Sequence, residues 1–135
     1  LLDLAYHTSV HIASVRAGDW QRQPDFCYWK APLVELAGKT LGIVGFGDIG
    51  RKVAQIGQAF GMNILVNRRQ MDDTPPEGIT YADIPTLFAQ SDVVSLHCPL
   101  TQENREFVNR DLLSRMKPSA FLINTGRGPL IQEAD

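Results

Sequence analysis

Residues 40–50 have the sequence TLGIVGFGDIG, an apolar run that continues into three glycines spaced as G-x-G-x-x-G. The run Thr40–Val44 is short and rich in branched side chains, which predicts a buried strand. The segment after the glycines predicts a helix that extends to about Phe60 and is closed by Gly61. This stretch is therefore one step of strand, turn and helix, and it decides the fold.

The three glycines each suit a different task in a turn that binds a dinucleotide. Gly45 permits the tight turn, Gly47 lets the backbone approach a pyrophosphate, and Gly50 lets the helix lie close to the strand. The helix N-terminus then offers unpaired N–H groups and a partial positive charge to phosphates. Such a string also occurs in purely structural turns, but the order of strand, glycines and helix favours dinucleotide binding.

The alternation of strand and helix repeats along the rest of the chain. We predict further strands at 64–66, 91–97 and 120–124, helices at 85–90 and 110–116 capped by Asp83 and Asn109, and a loop at 74–78. Because such alternation requires right-handed crossovers, the strands form a parallel sheet covered on both faces. The predicted fold class is α/β, a doubly wound, Rossmann-like sheet that is incomplete.

The N-terminal part has a different pattern. Apolar residues near a 3.6-residue spacing predict one helix over about 1–17, whereas residues 18–38 have no period and hold Trp20, Phe26, Tyr28 and Trp29. Rings of this size must be buried against something, and a dimer partner is one candidate. We therefore expect residues 1–38 to form a helix and dimerisation loop of a homodimer, and residues 39–135 to form the Rossmann core.

Composition excludes several classes of protein. The chain has 135 residues, 44% of them apolar and 21% charged, as in an ordinary globular domain. Its net charge of −2 argues against a nucleic-acid partner. The absence of a long apolar run or a signal sequence predicts a cytoplasmic protein with no membrane partner. Cys27 and Cys98 have no metal-ligand or redox spacing. A first residue Leu1 and a last residue Asp135 suggest a piece of a longer protein.

The end of the second predicted strand bears on the choice of cofactor. An enzyme that uses NAD is expected to carry an acid there, but this chain has Asn67, Arg68 and Arg69, with Asp72 and Asp73 further into the loop. Two guanidinium groups suit the 2′-phosphate of NADP, which an acid would repel. We therefore expect NADP, with NAD as the alternative if the two arginines are only a solvated pair.

Two later stretches, LHCPLT at 96–101 and INTGRGPLI at 123–131, complete a resemblance to the cofactor-binding domain of the D-isomer-specific 2-hydroxyacid dehydrogenases. The segments PDFCYW at 24–29 and LAGKT at 36–40 further resemble the glycerate dehydrogenase (hydroxypyruvate reductase) branch. The resemblance covers essentially the whole chain. It implies hydride transfer between a nicotinamide and a small D-2-hydroxy acid, such as hydroxypyruvate/D-glycerate or glyoxylate/glycolate.

The resemblance also implies roles for individual residues. Phe46, Gly47, Asp48 and Ile49 would cradle the pyrophosphate, Cys98 and Pro99 would pass the adenosine side, and Thr125 and Gly126 would line the nicotinamide end. Arg127 would be catalytic, because its planar guanidinium can clamp the substrate carboxylate and help to polarise the C2 carbonyl. Its alternative role is that of a strand-end arginine paired to a structural acid. The chain departs from the family pattern at Arg68, which replaces the acid, and at Gln132, which replaces a common Asp.

The histidines are weighed separately because reduction of a ketone requires a proton donor. His7 and His11 lie one helical turn apart but lack a third ligand, so a solvated or interfacial face is favoured over a metal site. His97 is expected to serve the local turn. The resemblance implies that the acid–base histidine, its carboxylate partner and the substrate domain all lie outside this chain, so that the fragment alone is inactive. The alternatives are a corepressor-like protein that senses NAD(H), and a formate dehydrogenase.

Overall fold

The computed structural model describes residues 1–70 and 74–134. The chain divides into two compact units, Leu1–Leu36 and Ala37–Asp135. No helix of the described residues is long and apolar enough to span a bilayer.

The first unit contains three short helices, α1 (Leu2–Tyr6), α2 (Thr8–Arg16) and α3 (Asp19–Arg22). The prediction of one helix over 1–17 is wrong because His7 adopts a left-handed conformation with φ 48°. Asp3 stabilises this break, since its carboxylate accepts hydrogen bonds from the backbone N–H of Ser9 at 2.9 Å and from the Ser9 hydroxyl at 2.7 Å. These bonds lower the pKa of Asp3. The single turn α3 was also missed in the predicted loop.

Asp19 connects α2 to the segment that follows α3 through polar contacts. Its carboxylate accepts a 2.6 Å hydrogen bond from the hydroxyl of Ser14 and forms ion pairs with Lys30 at 3.0 Å and Arg22 at 2.7 Å. These partners, Ser14 first, hold the pKa of Asp19 well below its usual range. The hydroxyl of Tyr28 lies 3.0 Å from that of Ser14 and joins the same network. The segment before and after α3 is therefore ordered by polar contacts.

The second unit is built around one five-stranded sheet in which every pairing is parallel and the order is β3-β2-β1-β4-β5. Its elements are β1 (Thr40–Val44), α4 (Asp48–Ala59), β2 (Asn63–Asn67), β3 (Ile79–Tyr81), α5 (Ile84–Gln90), β4 (Val93–Leu96), α6 (Arg110–Leu113), β5 (Phe121–Asn124) and a 3₁₀ turn (Gly128–Leu130). The predicted doubly wound α/β fold is confirmed.

The alternation of side chains along β1 places helices on both faces of the sheet. On one face, a Cβ at Gly57 of α4 would lie 2.8 Å from Leu41. On the other face, a Cβ at Gly42 would overlap Ser91 and Leu87 at the end of α5. The close approach of both helices accounts for a β1 that is buried from Leu41 to Val44.

Several elements differ from the sequence prediction, and β4 covers Val93–Leu96 where a strand over 91–97 was predicted. Strand β3 was not predicted, and α6 ends at Leu113, not near Met116. Ser91, predicted as the start of a strand, is the C-cap residue of α5, because its N–H and hydroxyl both donate to the Leu87 carbonyl. The predicted caps are present: Asp83 accepts from the Thr86 N–H and Asn109 from the Leu112 N–H.

Candidate functional site

The ends of four strands lie in one row across the sheet. Val44 is the register partner of both Asn67 and Leu96, and Leu96 is the partner of Asn124. The segments that follow these strands are 45–50, 68–70, 97–107 and 125–127. After β1 the chain continues to β2 on one side, whereas β4 lies on the other side, so this edge contains the switch point at which doubly wound sheets bind ligands.

A cleft of about 740 Å³ opens at this edge. The predicted cofactor residues that line it are Gly45, Phe46, Gly47, Asn67, Arg68, Arg69, Cys98 and Pro99. His97, which was expected to serve the local turn, also lines the cleft. The lining residues that sequence reasoning missed are Val44, Gln70, Ile84, Thr101, Glu103, Asn104 and Phe107. The volume lies within the range of small-molecule and cofactor sites. The fold thus brings three of the predicted sequence segments into one cavity.

Gly45 and Gly47 contribute to the cleft in different ways. Gly45 has φ 95°, and a Cβ there would lie 2.6 Å from the backbone nitrogen of Cys98. Only glycine fits this turn without strain or a clash with backbone. A Cβ at Gly47, by contrast, would meet no atom within 4 Å. Gly47 therefore leaves open space in front of the backbone, which is what a bound pyrophosphate needs.

The start of α4 completes this wall of the cleft. Gly47 is the N-cap residue, no described side chain caps the helix, and the first intrahelical bond runs from the Arg51 N–H to the Gly47 carbonyl at 2.9 Å. The N–H groups of the first turn and the helix dipole are thus directed to this edge. Phe46 is 8% exposed, and its ring lies 5.0 Å from the Arg51 guanidinium.

Five predicted cofactor residues do not line the cleft: Asp48, Ile49 and Gly50 at the start of α4, and Thr125 and Gly126 after β5. Asp48 and Ile49 lie in the exposed first turn of α4, where only their backbone N–H groups are suited to a phosphate. Gly50 is buried, and a Cβ there would overlap the carbonyl oxygen of Gly45. Its role is the close packing of helix on strand.

The end of β2 carries Asn67, Arg68 and Arg69, which all line the cleft. The Asn67 amide donates a 2.9 Å hydrogen bond to the carbonyl of Ala82, which fixes the direction of the chain as it leaves the sheet. Arg69 is exposed, and its Nη2 lies 4.0 Å from Oε2 of Glu103. The acids Asp72 and Asp73, considered in the sequence, lie outside the described residues.

The opposite wall is formed by the segment after β4. Asn104 holds it together, since its amide donates to the Pro99 carbonyl at 2.8 Å and accepts from the Thr101 N–H at 2.7 Å. Asn104 also approaches Cys98 Sγ at 3.9 Å, and burial raises the pKa of that thiol. The spacing of Thr101 and Asn104 is the signal that could have identified this turn in the sequence.

His97 contributes a partly buried ring to the cleft. Its Nε2 lies 2.9 Å from the hydroxyl of Ser95, and its backbone N–H donates to the Val44 carbonyl at 2.7 Å. Burial lowers the pKa of His97 and so favours its neutral form.

His11 lies in the first unit, and both of its ring nitrogens have partners. Nδ1 lies 2.9 Å from the His7 carbonyl, and Nε2 accepts from the Lys30 N–H at 3.2 Å. Because Nε2 is an acceptor, the assigned proton is on Nδ1. No group of three potential metal ligands occurs in the described parts of the chain.

The turn after β5 contains Thr125, Gly126 and Arg127, which do not line the cleft. Asn124 fixes the turn, because its side chain accepts from the Gly126 N–H at 3.0 Å and donates to the Arg127 carbonyl at 2.9 Å. A Cβ at Gly126 would lie 3.8 Å from the Cys98 carbonyl oxygen, so this turn adjoins the cleft wall. Arg127 is exposed, its Nη1 donates to the Gly126 carbonyl at 3.3 Å, and no ion pair joins it to a carboxylate of the described residues.

The sheet order, the glycine turn and the cleft define a dinucleotide-binding domain. Residues 1–135 match the family described as "D-isomer specific 2-hydroxyacid dehydrogenase, NAD binding domain", and the chain belongs to this family. The predicted family resemblance is confirmed, and the family supports a nicotinamide cofactor. Gly45, Gly47, the start of α4 and the cleft fit such a group.

Among curated relatives, the chain is 40% identical to the hydroxypyruvate reductase of Blautia hydrogenotrophica, with 100% of the chain and 42% of the relative covered. It is 43% identical to the glycerate dehydrogenase of Methylorubrum extorquens, with 90% and 37% covered. A solved structure, a glycerate dehydrogenase related protein from Thermoplasma acidophilum, superimposes with a TM-score of 0.83 at 30% identity, covering 99% of this chain and 44% of that one. The chain thus spans about two-fifths of the length of these proteins.

Proposed function

We propose that this chain is the coenzyme-binding domain of an NAD(P)-dependent D-2-hydroxyacid dehydrogenase that interconverts hydroxypyruvate and D-glycerate, or glyoxylate and glycolate. The observation that carries the proposal is the row of four strand ends that brings the Gly45–Gly50 turn, the cleft and the Arg127 turn to one edge. The names of the relatives from Blautia and Methylorubrum support hydroxypyruvate and glycerate as substrates.

We assign cofactor contacts to each side of the cleft. The backbone of Phe46 to Ile49 holds the pyrophosphate at the start of α4, where N–H groups and the helix dipole favour anions. Cys98 and Pro99 form the wall on the adenosine side, and Thr125 and Gly126 lie at the nicotinamide end. When bound, the nicotinamide exchanges a hydride with C2 of the substrate.

We assign the substrate carboxylate to Arg127. Its backbone is fixed by Asn124 while its side chain is exposed and has no described acidic partner. A guanidinium in this state can present two parallel N–H donors to a carboxylate and stabilise negative charge on the neighbouring C2 oxygen. The alternative role, an arginine paired to a structural acid, has no support among the described residues.

We propose NADP(H) as the preferred cofactor. Arg68 and Arg69 both line the cleft at the end of β2, where a 2′-phosphate with a charge of about −1.5 to −2 would be attracted. NAD(H) remains the alternative, since Arg69 is exposed and its contribution is screened by solvent.

We propose that the complete enzyme supplies the proton donor and the substrate pocket from residues beyond this domain. His97 favours its neutral form and is bonded to Ser95, and both ring nitrogens of His11 are occupied, so neither is suited to protonate a ketone. Residues 1–135 alone should therefore bind cofactor without turnover.

We further propose that the enzyme is a homodimer whose interface uses residues 1–38. In the chain, Trp20 is 55%, Phe26 91% and Trp29 69% exposed. Three large rings on a segment that is ordered by Asp19 are typical of a protein interface. Sedimentation of the intact protein as a dimer, and of a Phe26→Glu, Trp29→Glu double variant as a folded monomer, is the expected result. The prediction of a cytoplasmic location remains a prediction.

The reaction is tested in the intact protein by following NADPH and NADH oxidation with hydroxypyruvate and glyoxylate, and the reverse reaction with D- and L-glycerate. We expect reduction of at least one 2-oxo acid and oxidation of D-glycerate but not of L-glycerate. Nucleotide binding without turnover on any 2-oxo acid would favour the corepressor-like alternative, and oxidation of formate alone would favour formate dehydrogenase.

A further inference from the structure

An acidic side chain lines the same part of the cleft as the two arginines. Glu103 belongs to the segment after β4, and Arg69 belongs to the segment after β2, yet both line one cavity. Oε2 of Glu103 lies 4.0 Å from Nη2 of Arg69, and both side chains are largely exposed, at 86% and 77%. A carboxylate thus faces the guanidinium that is proposed to attract a 2′-phosphate.

Hydrogen bonds within the turn Thr101–Asn104 fix the backbone of Glu103 beside the cleft. Thr101 and Asn104 enclose it in a closed turn, in which the Asn104 side chain accepts from the Thr101 N–H at 2.7 Å and the Asn104 N–H donates to the Thr101 hydroxyl at 3.3 Å. The Asn104 amide also ties this turn to the Pro99 carbonyl at 2.8 Å. The backbone of Glu103 is therefore held at the edge of the cleft, and its carboxylate stays near Arg69 whether or not the two form an ion pair.

Two consequences follow for a nucleotide in the cleft. Glu103 competes with a 2′-phosphate for Arg69, and its negative charge also repels that phosphate directly. A free 2′-hydroxyl has no charge to repel. We infer that Glu103 is a specificity-determining residue that weakens binding of 2′-phosphorylated nucleotides relative to nucleotides with a free 2′-hydroxyl. This inference rests on the proposed function, because it assigns the adenosine ribose to this end of the cleft.

The expected size of the effect follows from Coulomb's law in water. One unit charge about 7 Å from a phosphate of about −1.5 to −2 changes affinity by about fivefold without screening, and by about threefold at 50 mM salt, where the Debye length is about 14 Å. The effect is small because both side chains are exposed, and its dependence on salt distinguishes it from a change in packing.

The test uses the intact protein with Glu103→Gln, which removes the charge and keeps the shape. Glu106→Gln is the matched control, since Glu106 lies on the same segment, next to Arg105 at 3.9 Å, and does not line the cleft. Dissociation constants are measured by calorimetry for NADPH and NADH, and for adenosine 2′,5′-bisphosphate and AMP, at about 50 mM and 500 mM salt. The bisphosphate and AMP differ only at the 2′ position, so their ratio reports on that group without turnover.

We expect Glu103→Gln to raise the affinity for NADPH relative to NADH, and for the bisphosphate relative to AMP, by about threefold at 50 mM salt and less than twofold at 500 mM salt. Glu106→Gln should leave both ratios unchanged. The inference is overturned if Glu103→Gln leaves the ratios unchanged, or if Glu106→Gln shifts them equally. If the wild-type protein binds none of the four nucleotides, the proposed function fails, and the inference fails with it.

Discussion

Replacement of Gly47 by alanine tests whether the open space at the glycine turn is a ligand site. Gly47 has φ −81° and ψ −162°, which alanine adopts without strain, and its Cβ would meet no atom within 4 Å. The folded chain alone should therefore accept the change. Alanine is a poorer N-cap than glycine, but it also reduces the entropy of the unfolded chain, so the net change in the free energy of unfolding should stay within about 1 kcal/mol.

The same Cβ would occupy the space in which a pyrophosphate meets the start of α4. Each charge-assisted hydrogen bond is worth about 1.5–3 kcal/mol, so the loss of one such bond should weaken cofactor binding by about tenfold to hundredfold. Gly45→Ala is the contrasting variant. It forces alanine to φ 95° with its Cβ 2.6 Å from the Cys98 nitrogen, which should destabilise the fold by about 2–5 kcal/mol.

The assay combines thermal unfolding with fluorescence titration of NADPH and NADH in the intact protein. We expect Gly47→Ala to unfold within a few degrees of the wild type yet bind both cofactors at least tenfold more weakly, and Gly45→Ala to unfold at a clearly lower temperature. Wild-type affinity in Gly47→Ala would refute the reasoning. Equal destabilisation of the two variants would refute it as well, because affinity would then follow folding.

Three further predictions concern other parts of the second unit. Arg127→Lys keeps the charge but loses the planar fork, so kcat/KM should fall by at least tenfold while the cofactor Kd stays within twofold; steady-state kinetics and titration measure both. Arg68→Asp should reverse the preference for NADP(H) over NAD(H) in calorimetric titrations, and an unchanged NADPH affinity would contradict the assignment. Burial of Asp92 opposes its ionisation, but the Thr40 N–H at 2.8 Å and Lys117 at 2.9 Å outweigh it and lower the pKa of that carboxyl. The folded state therefore favours the ionised carboxylate. In urea unfolding, the free energy of unfolding of the wild type should exceed that of Asp92→Asn from pH 5 to 7, and the difference should shrink as the pH falls below about 4. A difference that does not depend on pH would contradict this assignment.

The sheet was predictable because burial imposes a simple pattern on its strands. β1, β2 and β4 are short apolar runs next to clear helix signals, and the pattern alone indicated a parallel sheet. Strand β3, Ile79–Tyr81, was missed because it has three residues and only Ile79 is buried. β3 joins the sheet by pairing with β2, and the local sequence does not indicate this pairing.

The break between α1 and α2 could not be predicted for a different reason. The apolar spacing of residues 1–17 continues through His7, so periodicity predicts one helix. The break depends on a side-chain interaction between Asp3 and Ser9, and both residues are also compatible with an uninterrupted helix. Asp and Ser compete with the helical backbone through such local bonds, and their sequence alone does not determine which conformation prevails.

Part of the candidate site could be predicted from local sequence, and part is formed only when distant segments come together in the fold. The glycine turn was identified because its conformational demands are local, whereas Glu103 and Asn104 enter the cleft only because β4 pairs with β1. The turn of Arg127 is an intermediate case, since Asn124 fixes its backbone locally while the guanidinium extends into solvent. Its Nη1 donates a single 3.3 Å hydrogen bond to the Gly126 carbonyl, so a bound carboxylate can redirect the exposed end of this side chain. Substitutions in the cleft wall should therefore change cofactor preference, and substitutions that alter the direction of the Arg127 side chain should change substrate preference.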